Sequence, residues 1–316
     1  MIKNRHTPVM IEEVFKFLNP VDEGLYIDGT FGGGGYTKYL LKKSDCKVIA
    51  IDRDQKAIDE GFDLRNQYSD RLKLVHDCFG NLEKILKKNN ILKVNGIAVD
   101  LGVSSSQIDN AERGFSFMRN GPLDMRMSSS GISASEIVNT LDQKSLYKLI
   151  KKFGEEKYAN KISRAIIIYR NRKVISTTEE LSLIISKVVR RGDSKIHPAT
   201  RTFQALRIAV NKELEELRKI LFAAEKILLP GGVIVVVSFH SLEDRIVKKF
   251  FSERSGRVSN NRHMPEKNKY SPTFDTITKM LRPSESEVLS NPRSRSAKLR
   301  AAMRTDAVSF LRDGFE

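Results

Sequence analysis

Two cysteines in 316 residues, Cys46 and Cys78, are too few for a disulfide framework and fit a reducing compartment. No Cys-x-x-Cys or His-x-x-x-His spacing occurs, so a structural zinc site is not expected and no metal is assigned. Long hydrophobic runs are also missing. Stretches such as Val233 to Val237 and Ala165 to Tyr169 are far too short to cross a bilayer, and no membrane partner is expected. Met1-Ile-Lys-Asn-Arg has no apolar segment of signal-peptide type behind it, which favours a cytoplasmic location.

Positive charge is what the chain has in excess. Lys+Arg is 55 against 39 Asp+Glu, a net +16 at neutral pH. Residues 151–219 alone hold 17 basic against 8 acidic side chains. A concentrated basic region suits a polyanion, with phosphate contacts setting affinity. A solvated lysine-rich surface is the plain alternative. Apolar residues make up 40%, enough for a core, and the length suits one large domain or two modest ones.

The first hundred residues alternate short apolar runs with amphipathic stretches. Strands are read at Gly24–Asp28, Lys47–Asp52, Arg71–His76 and Val94–Asp100, with helices at 34–43, 55–67 and 79–88 between them. That rhythm implies right-handed crossovers and an α/β fold with a parallel sheet. It breaks at Ser104–Ser133, which is rich in Ser, Gly, Asn and Met and reads as an irregular, substrate-facing loop. Only helical patterns follow, at 141–153, 155–169 and 178–190, the last starting at Thr177 or Thr178. A long helix over 201–228 and a turn at Pro230-Gly-Gly232 lead back to a fifth strand, Val233–Ser238. An all-helical domain is therefore inserted between the fourth and fifth strands. Domain limits are set at 1–110 with 205–316, and 111–204. Residues 265–316 carry four prolines and read mostly as loop, with a closing strand near Ala297–Met303.

Asp28-Gly-Thr-Phe-Gly-Gly-Gly-Gly35 lies where the first strand meets its helix. Glycines there admit positive φ and a close approach of backbone N–H groups to a ligand. Asp52, at the end of the second strand, has the spacing that sets a carboxylate against ribose hydroxyls. A dinucleotide would place its pyrophosphate beside Asp28, an unfavourable arrangement for a nicotinamide-dependent oxidoreductase. S-adenosylmethionine carries an ammonium and a sulfonium, which the carboxylate favours. Asp77 and Phe79, after the third strand, either face an adenine or serve as helix cap and core.

Asp100-Leu-Gly-Val-Ser-Ser-Ser-Gln107 ends the fourth strand, at the edge where open α/β sheets bind ligands. The Pro-Pro-aromatic sequence common in nitrogen methylases is absent. Neither cysteine is placed to attack C5 of cytosine, so direct transfer remains.

Eight segments carry a resemblance to the ribosomal RNA small subunit methyltransferase H family over most of the chain: His6-Thr-Pro-Val9, Asp28-Gly-Thr-Phe-Gly32, Asp100-Leu-Gly-Val-Ser-Ser105, Glu112-Arg-Gly-Phe-Ser-Phe-Met118, Gly121-Pro-Leu-Asp-Met-Arg-Met127, His197–Arg207, Ser238–Arg245 and Asn291–Ser296. The resemblance implies a Rossmann-like class I methyltransferase sheet. It also implies methyl transfer from S-adenosylmethionine to the exocyclic N4 of a cytidine in the decoding region of 16S rRNA, within the small ribosomal subunit. The family's cofactor contacts fall on Gly34, Gly35, Tyr36, Asp52, Phe79, Asp100 and Gln107. Tyr36 stands where the family usually has His, so a contact through its backbone survives and one through imidazole does not.

The N4 lone pair is delocalised into the ring, so acceptors for its N–H groups favour the reacting, more pyramidal nitrogen. Asp100, or the backbone carbonyls after it, is a candidate for that role; the alternative is that Asp100 holds only the cofactor. His240, after the fifth strand, accepts a proton, stacks beside the base, or bonds a loop. Arg113, Arg119 and Arg126 lie in the irregular segment, where Met118, Met125 and Met127 read as packing. Lys151, Lys152, Arg170, Arg172, Lys173, Arg190 and Arg191 offer phosphate contacts, and Arg201 and Arg207 lie beside His197. An RNA-binding assembly factor without catalysis is the competing class.

Overall fold

The computed structural model describes residues 8–189, 197–256 and 271–309. Seven strands form one sheet: β1 (Leu25–Asp28), β2 (Lys47–Asp52), β3 (Leu72–His76), β4 (Val94–Asp100), β5 (Leu228–Ser238), β6 (Phe274–Leu281) and β7 (Lys298–Arg304). Their order is β3-β2-β1-β4-β5-β7-β6. The first five are parallel, and β7 runs antiparallel to both β5 and β6.

Alternation along the strands builds two cores. Ile27, Ile49, Ile51, Ile97, Val99, Ile234 and Val236 face one side, while Tyr26, Val48, Ala50, Ala98, Val235 and Val237 face the other. Both sets are buried, as a parallel sheet covered by helices on both faces requires. On the second face pack α1 (Ile11–Leu18) and α2 (Gly35–Lys43), through Val14, Leu18, Leu40 and Leu41. Following β2 are α3 (Gln55–Glu60) and α4 (Phe62–Gln67), and α5 (Leu82–Lys88) follows β3.

The chain forms two compact units, divided after Gly102 and after Glu213. The expected limits were 110/111 and 204/205. The second unit holds α6 (Ser105–Asp109), α7 (Ala134–Thr140), α8 (Gln143–Gly154), α9 (Ala159–Arg170), α10 (Thr178–Val188) and α11 (Thr200–Asn211). Leu146, Ile150, Ile162, Ile166, Leu181, Ile185, Phe203 and Leu206 make its core. Capping boxes start α6, α7 and α10, each worth about 1 kcal/mol, the last from Thr177 and Glu180. Sheet-side helices α12 (Glu213–Ile227), α13 (Ser241–Arg254) and α14 (Glu285–Ser290) complete the first unit.

Several expectations need correction. The 201–228 helix is two helices, α11 and α12, because Lys212 adopts φ 51° and breaks the hydrogen-bond ladder. The 55–67 helix breaks at Gly61, where a side chain would begin 2.6 Å from the Phe31 ring. β5 begins at Leu228, earlier than expected, and Pro230-Gly-Gly232 loops out of it: residues 229–232 have no partner in β4, and Gly231 takes φ 81°. The C-terminal region is not mostly loop, since β6, α14 and β7 occupy much of its described part. β6 escaped notice because its sequence has no clean alternation: Thr276 and Thr278 share the inner face with Phe274, and Ile277 is exposed.

The irregular segment 104–133 is ordered by polar bonds. Arg113 donates to the carbonyls of Arg126 and Met127, and Asn211 Nδ2 donates to the Met125 carbonyl at 2.7 Å. Asn211 Oδ1 accepts the Met127 N–H at 2.8 Å. Met125 and Met127 are buried, whereas Met118 is exposed and packs on nothing that would make it core.

Candidate cofactor and active site

Three neighbouring parallel strands, β2, β1 and β4, all end on aspartate: Asp52, Asp28 and Asp100. Each is held differently. Asp28 is fully buried beneath the glycine loop. Its Oδ2 accepts the Thr37 hydroxyl at 2.7 Å and the Thr37 N–H at 3.2 Å, and its Oδ1 accepts the Thr30 N–H at 3.1 Å. Burial, with Asp52 nearby, still lifts its pKa to about 6. Asp52 accepts N–H bonds from Gly32 at 2.7 Å and Asp54 at 2.8 Å, one on each oxygen. Burial raises its pKa as well.

Asp100 is the exception. Its backbone N–H is bonded to Thr30 Oγ1 at 2.7 Å, but its Oδ1 is buried with no hydrogen-bond partner among the described residues. Burial, then the charges of Asp28, Glu243 and Glu287, push its pKa well above the usual carboxylate range. A buried acceptor without a donor is costly, by about 1–3 kcal/mol, unless a ligand supplies one. An ammonium group is the donor this acidic edge suits.

The loop between β1 and α2 needs glycine for two separate reasons. Gly34 sits at φ 73°, in the left-handed region, at the N-cap of α2. Gly35 needs no positive φ, but a side chain there would begin 2.0 Å from Pro8 Cγ. Tyr36 is buried, and its hydroxyl donates to the Val9 carbonyl at 2.5 Å. Its backbone is therefore the part left for a cofactor. Phe79 begins a short turn after β3 and packs half-buried on the core.

Asp77 caps that turn: its Oδ1 accepts from Cys78 N and Asn81 Nδ2, both at 2.7 Å. Cys78 donates its thiol to Glu216 Oε2 at 3.0 Å. Burial, then that bond, drives its pKa up to about 12, which makes it inert.

Gly34, Gly35, Tyr36, Asp52, Phe79 and Asp100 thus all belong to the sheet unit, at loops and strand ends along its carboxyl edge. Gln107 belongs to the helical unit. Its Oε1 accepts the Ser104 N–H at 3.1 Å, and its own N–H donates to Ser104 Oγ. His240 caps α13: Nδ1 accepts the Glu243 N–H at 3.3 Å, which leaves the ring hydrogen on Nε2. Nε2 lies 3.2 Å from Glu243 Oε1, outside hydrogen-bonding geometry.

In the helical unit, Arg170 departs from its expected role. It donates to the carbonyls of Val138 at 2.8 Å and Leu141 at 2.6 Å, so it ties down the end of α7. Arg119 likewise bonds the Asp109 carbonyl, and Arg126 forks onto Asp124. Arg207 forks onto Glu213, with both contacts at 2.8 Å. Arg201 reaches the Glu155 carbonyl. The His197 ring stacks on Phe117, centroids 4.5 Å apart. Lys173 pairs with Glu180, while Lys151, Lys152 and Arg172 are exposed. Arg190, Arg191, His6 and His263 lie outside the described residues.

Sequence reasoning missed Thr37, Glu216 and Glu287 as partners of the site residues. Thr37, one turn into α2 and facing a strand-end aspartate, was the one with a readable signal.

A seven-stranded sheet in this order, with β7 antiparallel and an acidic carboxyl edge beside a glycine loop, defines a class I methyltransferase. Comparison of the sequence with known families and relatives agrees. The sequence pattern of the MraW methylase family matches residues 3–305. The ribosomal RNA small subunit methyltransferase H of Xanthobacter autotrophicus is 51% identical over 304 residues, which covers 96% of this chain and 88% of that one. Its namesake from Afipia carboxidovorans is 50% identical, covering 98% and 93%. Among solved structures, a putative rRNA methylase from Clostridium thermocellum aligns with TM-score 0.43 and 14% identity over 93% of this chain and 94% of that one. The chain belongs to the MraW methylase family. A methyltransferase of this family takes its methyl group from S-adenosylmethionine.

Proposed function

We propose that this protein methylates the exocyclic N4 of a cytidine in the decoding region of 16S rRNA, in the cytoplasm and on the small ribosomal subunit. The names of its relatives support rRNA as the substrate. The observation that carries the chemistry is the unpartnered, buried Oδ1 of Asp100 at the end of β4.

When bound, S-adenosylmethionine supplies an activated methyl group on a sulfonium. The protein's work is then alignment and electrostatics. Asp52, fixed by two backbone amides, accepts from ribose hydroxyls. The N–H groups of Gly35 and Tyr36 bind at the start of α2, while Gly34, whose own N–H donates to the Phe31 carbonyl at 2.6 Å, shapes the turn that presents them, and Phe79 lies against the adenine. Gln107 completes the set of cofactor contacts. Asp100 accepts an N–H through its open oxygen, either from the cofactor's ammonium or from the target amine. His240 serves by holding α13 rather than by taking the proton. In the helical unit, Lys151, Lys152 and Arg172 meet phosphates. A base within folded RNA must be unstacked to reach such a site.

The test incubates the protein with labelled S-adenosylmethionine and small subunits from cells lacking it, followed by nucleoside digestion and mass spectrometry. N4-methylcytidine is expected, and its loss in Asp52→Ala. Labelling at another atom, or none at any assembly stage, would refute the assignment. Asp100→Asn separates the two acceptor roles. A large loss of rate at unchanged cofactor affinity places Asp100 on the amine; a loss of affinity alone places it on the cofactor.

A further inference from the structure

The peptide between Val9 and Met10 is held at both of its polar groups by side chains from distant parts of the chain. Tyr36, in the first turn of α2, donates its hydroxyl to the Val9 carbonyl at 2.5 Å. Glu287, in α14, accepts the Met10 N–H at 2.8 Å through Oε1. Val9 and Met10 are both buried, and Met10 adopts φ 51°, a left-handed conformation uncommon for a residue with a side chain. Such a conformation persists where the surroundings over-determine it. Pro8, the residue just before, occupies the space a Gly35 side chain would need.

These contacts have one geometric result. The Pro8–Met10 strap lies on the first turn of α2, next to the backbone N–H groups assigned to the cofactor. Burial raises the Tyr36 phenol well above its ordinary pKa, so it remains a donor at any physiological pH. Glu287 also contributes to the raised pKa of Asp100, so its charge reaches the acidic edge.

We propose that Tyr36 and Glu287 are positioning residues of the cofactor site: they clamp the Val9–Met10 peptide and thereby hold Pro8 over Gly35 as one wall of that site. The proposal rests on the methyl-donor reading of the carboxyl edge. It gives Tyr36 a side-chain role distinct from any contact of its backbone with the cofactor. It also makes α14, more than 270 residues away in sequence, part of the support of the N-terminal strap.

The test compares Tyr36→Phe, Glu287→Ala and Glu287→Gln in the full chain. Binding of S-adenosylhomocysteine is measured by calorimetry, methyl transfer by its KM and kcat, and amide exchange by mass spectrometry. Tyr36→Phe and Glu287→Ala are expected to weaken binding about tenfold, the effect of one well-placed hydrogen bond. KM for S-adenosylmethionine should rise with kcat nearly unchanged, and exchange should accelerate at Met10. Glu287→Gln keeps an acceptor oxygen and should stay within about twofold of the parent protein. Faster exchange with unchanged affinity in Tyr36→Phe and Glu287→Ala would make the strap purely structural and overturn the proposal. Equal losses in Glu287→Gln and Glu287→Ala would overturn the acceptor role of Glu287. Tyr36→Phe removes a single oxygen, so it keeps the question answerable if Glu287→Ala fails to fold. Failure of the parent protein itself to bind would instead bring down the methyl-donor reading, and this proposal with it.

Discussion

At the carboxyl edge of the sheet, acids are buried and mostly bonded to backbone N–H groups. In the helical unit, Lys151, Lys152 and Arg172 stand in solvent, and Arg113, Arg119 and Arg170 spend their guanidinium groups on main-chain carbonyls. The same chain thus treats charge in two ways. Buried acids at fixed positions are suited to one small cation held by geometry. Exposed lysines on long stems are suited to phosphate, which charge alone attracts and which tolerates many geometries. A basic residue can be assigned to RNA only after its internal partners are known, and Arg170 shows why.

This contrast can be broken at its strongest point, Asp28. Its folded pKa of about 6 lies above the unfolded value of 3.8, so the folded state binds the proton more tightly. Stability from this group is present at low pH and is lost as pH rises from about 4 to about 6, up to about 3 kcal/mol. Asp28→Asn should flatten that slope in urea unfolding at pH 4.5 and pH 7; parallel behaviour of the two proteins would contradict it. A middle-sized effect is expected for Arg170→Ala, which strips donors from the Val138 and Leu141 carbonyls. The helical unit should lose about 1–2 kcal/mol, read from its denaturation midpoint, and no loss would return Arg170 to the surface. The smallest structural effect is expected where no carbonyl or carboxylate among the described residues holds the charge, although Lys152 rests its ammonium over the Phe153 ring, 5.4 Å from the centroid. Reversing Lys151 and Lys152 to Glu should leave stability within about 0.5 kcal/mol. It should lower the salt slope of rRNA binding by about one per lysine. An unchanged slope would remove both from the interface.

The parallel strands were legible because Lys47–Asp52 and Val94–Asp100 are apolar runs bounded by turns, and both are observed with those limits. The strand-end aspartates and the glycine loop were legible for the same reason: strand ends can be read, and ligands bind there. β6 was not, because both faces of this edge strand mix polar and apolar residues, with Thr276 and Thr278 inside and Ile277 outside. Nor was the break at Lys212, since no Gly or Pro announces it and a left-handed conformation is uncommon for a residue with a side chain. Tyr36 illustrates the limit for the site. Sequence could say that it replaces the usual His, but its partner Val9 becomes visible only when the strap folds back. Glu287 carried no local signal at all, because its partner is a backbone amide near the other end of the chain.

The helical insertion also dictates a timetable for synthesis. β4 pairs with β1 on one side and with β5 on the other, yet about 110 residues of the helical unit are made between them. At roughly 5–20 residues per second, β4 spends several seconds or more outside the ribosome with one edge open. Gly96, Ile97, Ala98 and Val99 form most of that edge, an apolar segment of the kind that pairs with strangers. A nascent chain stalled inside the insertion should therefore be the most aggregation-prone species this gene produces, and the one most in need of a chaperone.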